Sequence, residues 1–149
     1  MRALSRATLL LLAVVSVLAH AQDEVAQAKR LFDQYVALSA AFDEKVADLY
    51  ADSARIQNTR RYPDGEPHRM NMPALSYKAL IRQVMPKAKA AGDLSTYSDV
   101  RYAPEDGRVR ISATRYSELK KYASPFSLLV RPGPDGNWLI FEELSESRP

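Results

Sequence analysis

The chain has 149 residues, no cysteine, and 21 basic against 18 acidic residues, which gives a formal net charge of +3 at pH 7. The lack of cysteine excludes disulfides, thiolate metal sites, thiol catalysis and the acylation site of a bacterial lipoprotein. So small an excess of positive charge gives no support for a nucleic-acid or anionic-membrane surface.

The first 21 residues have the three-part layout of a secretory signal peptide. Arg2 and Arg6 precede an apolar run of about 13 residues, and the triplet Ala19-His20-Ala21 follows it. A membrane-spanning helix needs about 20 apolar residues, so an uncleaved anchor is the weaker alternative for this run. We predict cleavage after Ala21, a periplasmic or secreted location, no membrane association after cleavage, and a mature domain of residues 22–149.

Helical patterns open the mature chain. Apolar residues recur at three- and four-residue spacing over residues 23–41, which predicts one helix with one buried stripe. Asp43 is suited to cap a second, short helix that ends near Ala51.

A hairpin and a third helix follow. Residues 54–71 have the pattern of two strands around the turn sequence Pro-Asp-Gly at 63–65. Pro73 suits the first turn of the helix, Pro86 is expected to end or kink it, and Gly92 is expected to close it.

The rest of the chain is strand-like, with proline- and glycine-containing loops at 104–107 and 132–136 that are typical of hairpins. Helices followed by a run of antiparallel strands predict an α+β domain with its helices on one face of the sheet. The four strand-like runs are STYSDVRY, RVRISATRYSEL, SPFSLLVRP and NWLIFEELSE.

The segment QYVALSAAFDEKVADLYADSARI, residues 34–56, and the closing run 137–143 together resemble the nuclear transport factor 2-like superfamily. That superfamily includes ketosteroid isomerases, SnoaL-like cyclases and scytalone dehydratase. The resemblance covers nearly all of the mature chain. It implies a cone-shaped, curved antiparallel sheet of about six strands, three N-terminal helices on its concave side, and a pocket between them. It implies the fold rather than the function, because one fold hosts many unrelated sites.

The ketosteroid isomerase pattern provides a test for catalysis, because it has a tyrosine on the first helix and a base aspartate on the first strand. The tyrosine falls on Tyr35, and the base falls at or beside Asn58. An amide accepts no proton at neutral pH, so the pattern lacks its general base. Tyr35 is then either a hydrogen-bond donor to a ligand or a core residue with its hydroxyl near the rim.

Other catalytic or metal-binding patterns are missing from the sequence. His68, the one histidine of the mature chain, lies in the predicted hairpin and is expected to be solvated. One histidine and no cysteine predict no metal site, and no phosphate-binding loop or nucleophile elbow is present. We therefore assign no catalytic residue and no cofactor.

Aromatic side chains on the strands are the first set that could line a ligand pocket. Tyr97, Tyr116 and Trp138 are the main candidates, because alternate positions of a curved sheet point into a cone. These residues could equally be core and edge positions favoured by β-propensity.

Charged side chains form the second set. Arg115 and Glu142 lie on neighbouring strand runs, where they either form a buried ion pair or contact a ligand. The first hairpin carries four arginines that could bind an anion, although a solvated hairpin face has the same composition. These arginines are Arg55, Arg60, Arg61 and Arg69.

The predicted function is an exported, non-catalytic domain that binds a small apolar or amphipathic molecule or a partner protein. One alternative is a lyase, isomerase or cyclase that uses an acid such as Asp99 or Glu142 with Tyr35. A strongly raised carboxyl pKa inside a closed pocket would favour it. A second alternative is an interaction module that forms a homodimer through the outer face of the sheet. No nucleic-acid partner is expected.

Overall fold

The computed structural model describes the backbone of residues 4–149 and the side chains from residue 19 onward. The predicted signal peptide therefore lies mostly outside the described side chains. Three helical elements and six strands follow in chain order. They are α1 (Leu4–Ala40), a 3₁₀ helix (Glu44–Leu49), β1 (Tyr50–Arg60), β2 (His68–Pro73), α2 (Ala74–Ala91), β3 (Ser95–Pro104), β4 (Val109–Ser117), β5 (Tyr122–Pro132) and β6 (Trp138–Ser147).

Local sequence signals account for most helix ends. The Asp43 side chain accepts a hydrogen bond from the backbone N–H of Lys45 at 2.9 Å, which caps the 3₁₀ helix as predicted. α2 ends at Gly92, whose φ of 65° is left-handed. Pro86 does not end α2, which continues to Ala91, because a proline removes one backbone donor and leaves the rest of the helix bonded.

The six strands form one open sheet in the order β2-β1-β6-β5-β4-β3. All neighbouring pairs are antiparallel except β1 and β6, which are parallel. The sheet is therefore mixed, because the last strand inserts beside the first one in the same direction. α1 packs near β3 and α2 near β1, with the 3₁₀ helix between them. We refer to the sheet face beneath the helices as the inner face.

A bulge in β6 changes which side chains reach the inner face. Val130 of β5 is opposite Ile140, whereas the preceding Leu129 is opposite Glu142, so Phe141 is an extra residue on β6. Side chains alternate between faces along a strand, and an extra residue reverses that alternation. Ile140 and Glu143 consequently both lie on the inner face.

The hydrophobic core lies between the helices and the apolar half of the inner face. Each element except β2 and β3 contributes fully buried apolar side chains, and the residues of β3 pack against them from the edge. The largest of these buried side chains are Tyr50, Ile111, Leu128, Ile140, Val46, Val109 and Val130. Among the described residues, no helix is both long and apolar enough to span a membrane.

Candidate functional site

The inner face changes from apolar to polar along the strands. Residues of neighbouring strands lie opposite one another in rows, and three successive rows can be followed across the sheet. The first row is Met72, Ile56, Glu143, Leu128, Ile111 and Tyr102; the second is Met70, Asn58, Ser145, Phe126 and Ala113; the third is His68, Arg60, Ser147, Ser124, Arg115 and Tyr97. The last row is mainly polar and includes two arginines.

A buried carboxyl group lies in the first row. Glu143 is only 3% exposed, and both of its carboxylate oxygens accept hydrogen bonds. The Tyr50 hydroxyl donates to Oε2, and the Tyr77 hydroxyl donates to Oε1 at 3.1 Å. Burial raises the pKa of Glu143, while the bonds from these tyrosines and the positive charge of Arg115 oppose that rise.

A chain of hydrogen bonds leads from the polar end of the sheet toward Glu143. The Ser147 hydroxyl donates to Asn58 Oδ1 at 2.7 Å, and Asn58 Nδ2 donates to Ser145 Oγ at 3.0 Å. Ser145 lies two residues after Glu143 on β6, and its side chain lowers the Glu143 pKa. Asn58 is thus held between two serines, and it links the third row to the residue beside the buried carboxyl group.

A cluster of aromatic side chains from α1, β3 and β5 lies beside this hydrogen-bond network. The Tyr35 hydroxyl of α1 lies 3.4 Å from the Tyr97 hydroxyl of β3, and the Tyr35 ring stacks on Phe126 with centroids 5.8 Å apart. Burial raises the pKa of Tyr35 well above its ordinary value and that of Tyr97 to about 12. Both phenols therefore stay protonated at neutral pH, so they can donate or accept a hydrogen bond but cannot act as bases.

Three polar atoms of the third row are buried without a hydrogen-bond partner among the described residues: Arg60 Nε, Arg115 Nε and Ser124 Oγ. Arg115 uses its Nη2 to donate to the backbone oxygen of Glu146 at 2.7 Å. The Arg60 guanidinium lies 5.6 Å from the centre of the Tyr62 ring. We refer to Arg60, Ser147, Ser124 and Arg115 as the polar row.

The predicted pocket residues separate into two groups. Tyr35, Asn58, Tyr97 and Arg115 lie at the polar end of the inner face, where Tyr97 contacts Tyr35 and is opposite Arg115 on the neighbouring strand. Trp138 is the first residue of β6, at the opposite end of that strand from Ser147, and it packs against the hydrophobic core.

Tyr116 and Glu142 lie on the outer face. Tyr116 is next to Arg115 on β4, so strand alternation directs it away from the helices. Glu142 accepts hydrogen bonds from Arg55 Nε at 2.8 Å and Arg110 Nη1 at 3.0 Å. Although partial burial opposes it, these bonds lower the pKa of Glu142. The expected pair between Arg115 and Glu142 does not form, because the β6 bulge places them on opposite faces.

Sequence reasoning did not identify three residues of this site: Tyr50, Tyr77 and Ser124. Tyr50 and Tyr77 belong to different elements, and only their common contact with Glu143 brings them together. The available signal was the pair Glu142-Glu143 within an apolar strand, since one of two adjacent strand residues must face inward.

A groove of about 690 Å³ lies elsewhere. Its lining includes Asp52, Lys78, Arg131 and Phe141 at the start of β1 and the β5–β6 turn. Lys78 is paired with Asp52 at 2.7 Å, and Arg131 stacks on Phe141 at 3.8 Å. Its cations already have partners, so we place the candidate site at the polar row. No group of three metal-ligating side chains occurs among the described residues.

Comparisons with known proteins support the fold. No protein-family model and no curated protein sequence matches the chain. Among solved structures, a nuclear transport factor 2-like protein of unknown function from Pseudomonas putida superposes with a TM-score of 0.63 at 9% identity, over 83% of this chain and 85% of that one.

Two further structures carry proposed activities of their own. A protein from Shewanella frigidimarina, proposed to be a ketosteroid isomerase, has a TM-score of 0.56 at 17% identity over 79% of this chain and 93% of that one. A protein from Streptomyces avermitilis, proposed to be a dehydratase, has a TM-score of 0.56 at 13% identity over 83% and 96%. At such low identity these similarities establish the architecture alone. The chain therefore has the α+β fold of the nuclear transport factor 2-like superfamily.

Proposed function

We propose that the chain is an exported, non-catalytic domain that binds a small amphipathic molecule between its helices and the polar end of the inner face. The observation that carries this proposal is the change in character along the inner face. An apolar, aromatic-lined region adjoins a row of polar side chains, three of whose atoms have no described partner. Binding sites for small molecules combine apolar walls with a few placed polar groups in this way.

Solvent access supports a site at this end. Asn58, Arg60, Arg115, Ser147 and Tyr97 are half-buried, in contrast to the fully buried core residues of the first row. Half-buried polar groups at the end of a packed core can contact both water and a bound molecule. The aromatic cluster of Tyr35, Tyr97 and Phe126 would supply apolar contact area next to them.

We propose that the domain is non-catalytic because neither Asn58 nor Glu143 can act as a general base in this structure. Asn58 holds no transferable proton at neutral pH, and its amide is already bonded to two serines. Glu143 is buried and bonded to two tyrosines on its two oxygens. Neither residue offers the free, accessible base that general-base catalysis requires.

Native mass spectrometry of residues 22–149, purified from the exported fraction, tests the binding proposal. We expect a reproducible extra mass that disappears when the same sample is denatured. A protein that has only its own mass, and gains none when incubated with amphipathic acids and alcohols, would contradict the proposal. The same spectrum reports the oligomeric state, and therefore tests the alternative of a homodimer.

One observation favours a second candidate function, acid–base catalysis. Glu143 is a buried carboxyl group with a raised pKa, and tyrosine hydroxyls contact it, which are properties found at catalytic sites. Catalysis would require an opening that exposes Glu143 to substrate. Uptake of deuterium from heavy water into a bound carbonyl compound, lost in the Glu143→Gln variant, would favour this function over simple binding.

A further inference from the structure

We infer that the bound molecule is an acid: its carboxylate binds at the polar row, between Arg60 and Arg115 and over Ser124. This inference rests on the proposed function and adds the chemical class of the ligand. It also assigns ligand binding to Arg60, one of the four hairpin arginines. The other three lie outside the polar row.

The first argument is the lack of a counter-charge at the polar row. Arg60 and Arg115 are half-buried and form no ion pair with a described carboxylate, whereas the other sheet arginines that form none, Arg69, Arg101 and Arg131, are exposed. Arg55 pairs with Glu142, and Arg61 pairs with Glu146 at 2.6 Å. A half-buried cation without a partner is costly, and an anionic ligand would offset that cost.

The second argument is geometric. Arg60 lies opposite Ser147, and Arg115 lies opposite Ser124, on strands separated only by β6 and β5. Arg115 Nη2 reaches the backbone oxygen of Glu146 on β6, so its guanidinium extends across β5 toward the strand that Arg60 borders. Arg60 and Arg115 thus occupy the two ends of the polar row, with Ser147 and Ser124 between them, and guanidinium donors suit the several oxygen lone pairs of a carboxylate.

The buried carboxylate of Glu143 does not neutralise this site. It lies four residues before Ser147 on the same strand, which is about 13 Å along an extended chain. Both of its oxygens already accept bonds from Tyr50 and Tyr77. Arg115 and Glu143 lie near enough for their charges to interact, because Arg115 lowers the pKa of Glu143, but the two groups form no ion pair.

A basic groove at the same end of the sheet, but outside the polar row, provides the third argument. It has a volume of about 560 Å³, and its lining includes Arg61 and Arg148, the residues that follow Arg60 and Ser147 in the chain. Lys120 and Lys121 line the same groove, while Glu146 and Glu118 pair with only two of the four cations. This end of the molecule should therefore attract anions.

The neighbouring row indicates why the acid should be amphipathic. Phe126 and Ala113 form an apolar strip directly beside Ser124 and Arg115. Met70, whose side chain is 47% exposed, lies at the sheet edge on the far side of Asn58 and Ser145. A carboxylate held by the arginines would place a hydrocarbon tail against these side chains. A free inorganic anion would leave this strip unused.

Decanoate and its uncharged analogue decanol are suitable probes, measured by isothermal titration with residues 22–149. We expect decanoate to bind more tightly than decanol, and its affinity to fall as salt is added. In Arg60→Gln, loss of a charge-assisted hydrogen bond should weaken decanoate binding about tenfold or more, with little change for decanol. Arg69→Gln is the matched control: it removes the same charge from the same hairpin, but strand alternation places Arg69 on the outer face.

Arg60→Lys provides a second variant, which keeps the charge and should recover part of the decanoate affinity. Arg115 is a poorer target because it also bonds the backbone of β6. Equal binding of both probes, unaffected by Arg60→Gln, would overturn the acid inference and leave the binding proposal standing. A retained natural ligand without an acidic group would overturn it too. If no probe binds and no ligand is retained, the binding proposal itself fails, and the inference with it.

Discussion

Glu143 shows how one residue can work against stability and still be retained in a core. Its carboxyl group is enclosed by Tyr50, Tyr77 and apolar neighbours, where the ionised form is poorly solvated. The two tyrosine hydroxyls offset part of that penalty by donating hydrogen bonds to its two oxygens. The pKa of the adjacent Glu142 shifts in the opposite direction. It is lowered, because Arg55 and Arg110 stabilise the charged carboxylate.

These opposite shifts predict opposite dependences of stability on pH. The folded-state pKa of Glu143 lies above the ordinary value of 4.5, so its contribution to the free energy of unfolding is full below pH 4.5 and is lost as pH rises through the folded pKa. Relative to Glu143→Gln, the native protein should therefore become less stable from pH 4.5 upward. Urea unfolding of both proteins across this range measures the difference.

Glu142→Gln is the matched control for that experiment. The folded-state pKa of Glu142 is depressed, so its contribution is present above pH 4.5 and is lost as pH falls through the folded pKa. The native protein should therefore lose stability relative to Glu142→Gln on acidification. Because Glu142 is partly exposed, this effect should be small and should weaken in high salt. Parallel slopes for the two variants would contradict the assignment of Glu143 to the inner face.

At the scale of elements, the β6 bulge decides the composition of the site. If β6 were regular through Phe141, the alternation that directs Ile140 inward would also direct Glu142 inward. With the bulge, Glu143 enters the core and Glu142 joins Arg55 and Arg110 on the outer face. A strand pattern read from the sequence as regular therefore assigns the wrong one of two adjacent glutamates to the inner face.

Helix ends, by contrast, are set by local chemistry, and Gly92 provides a test. Its φ of 65° ends α2, and an added Cβ would meet nothing within 4 Å, so only backbone strain opposes a larger residue. Gly92→Ala should lower the free energy of unfolding by about 1 kcal/mol. Thermal or urea unfolding measures this change.

Gly65→Ala is the control for the helix-end prediction. Gly65 has no left-handed φ, and its added Cβ would approach its nearest neighbour, the Tyr62 Cβ, only to 3.9 Å. The substitution should therefore be neutral or slightly stabilising, because alanine restricts the unfolded chain. A loss as large as that of Gly92→Ala would show that glycine content, rather than the left-handed conformation, determines the effect.

At the scale of the whole molecule, six strands and three helical elements enclose one core, and the polar row lies at one end of the inner face. Four predicted pocket residues, Tyr35, Asn58, Tyr97 and Arg115, come from three strands and a helix. Their positions in the chain span 80 residues, and only the folded sheet brings them together.

The processing of the chain is also a property of the whole molecule. If residues 1–21 are a signal peptide, the intact mass of protein recovered from the exported fraction should correspond to residues 22–149. Replacing Ala19 and Ala21 by arginine should block processing, because the small residues before the cleavage point are lost. Recovery of the unprocessed chain from the exported fraction of the native protein would contradict this prediction.

The sequence by itself determined the order of elements, most of their ends, and the α+β class, because caps, turn residues and hydrophobic periods are local signals. Asp43, Gly92 and the two late hairpin loops were all predicted from such signals. Only the tertiary structure decided that β6 lies parallel beside β1, that a bulge directs Glu143 inward, and that Arg60 meets no counter-charge. These features depend on pairing between distant strands, and a shift of one residue in that pairing exchanges the faces of a whole strand.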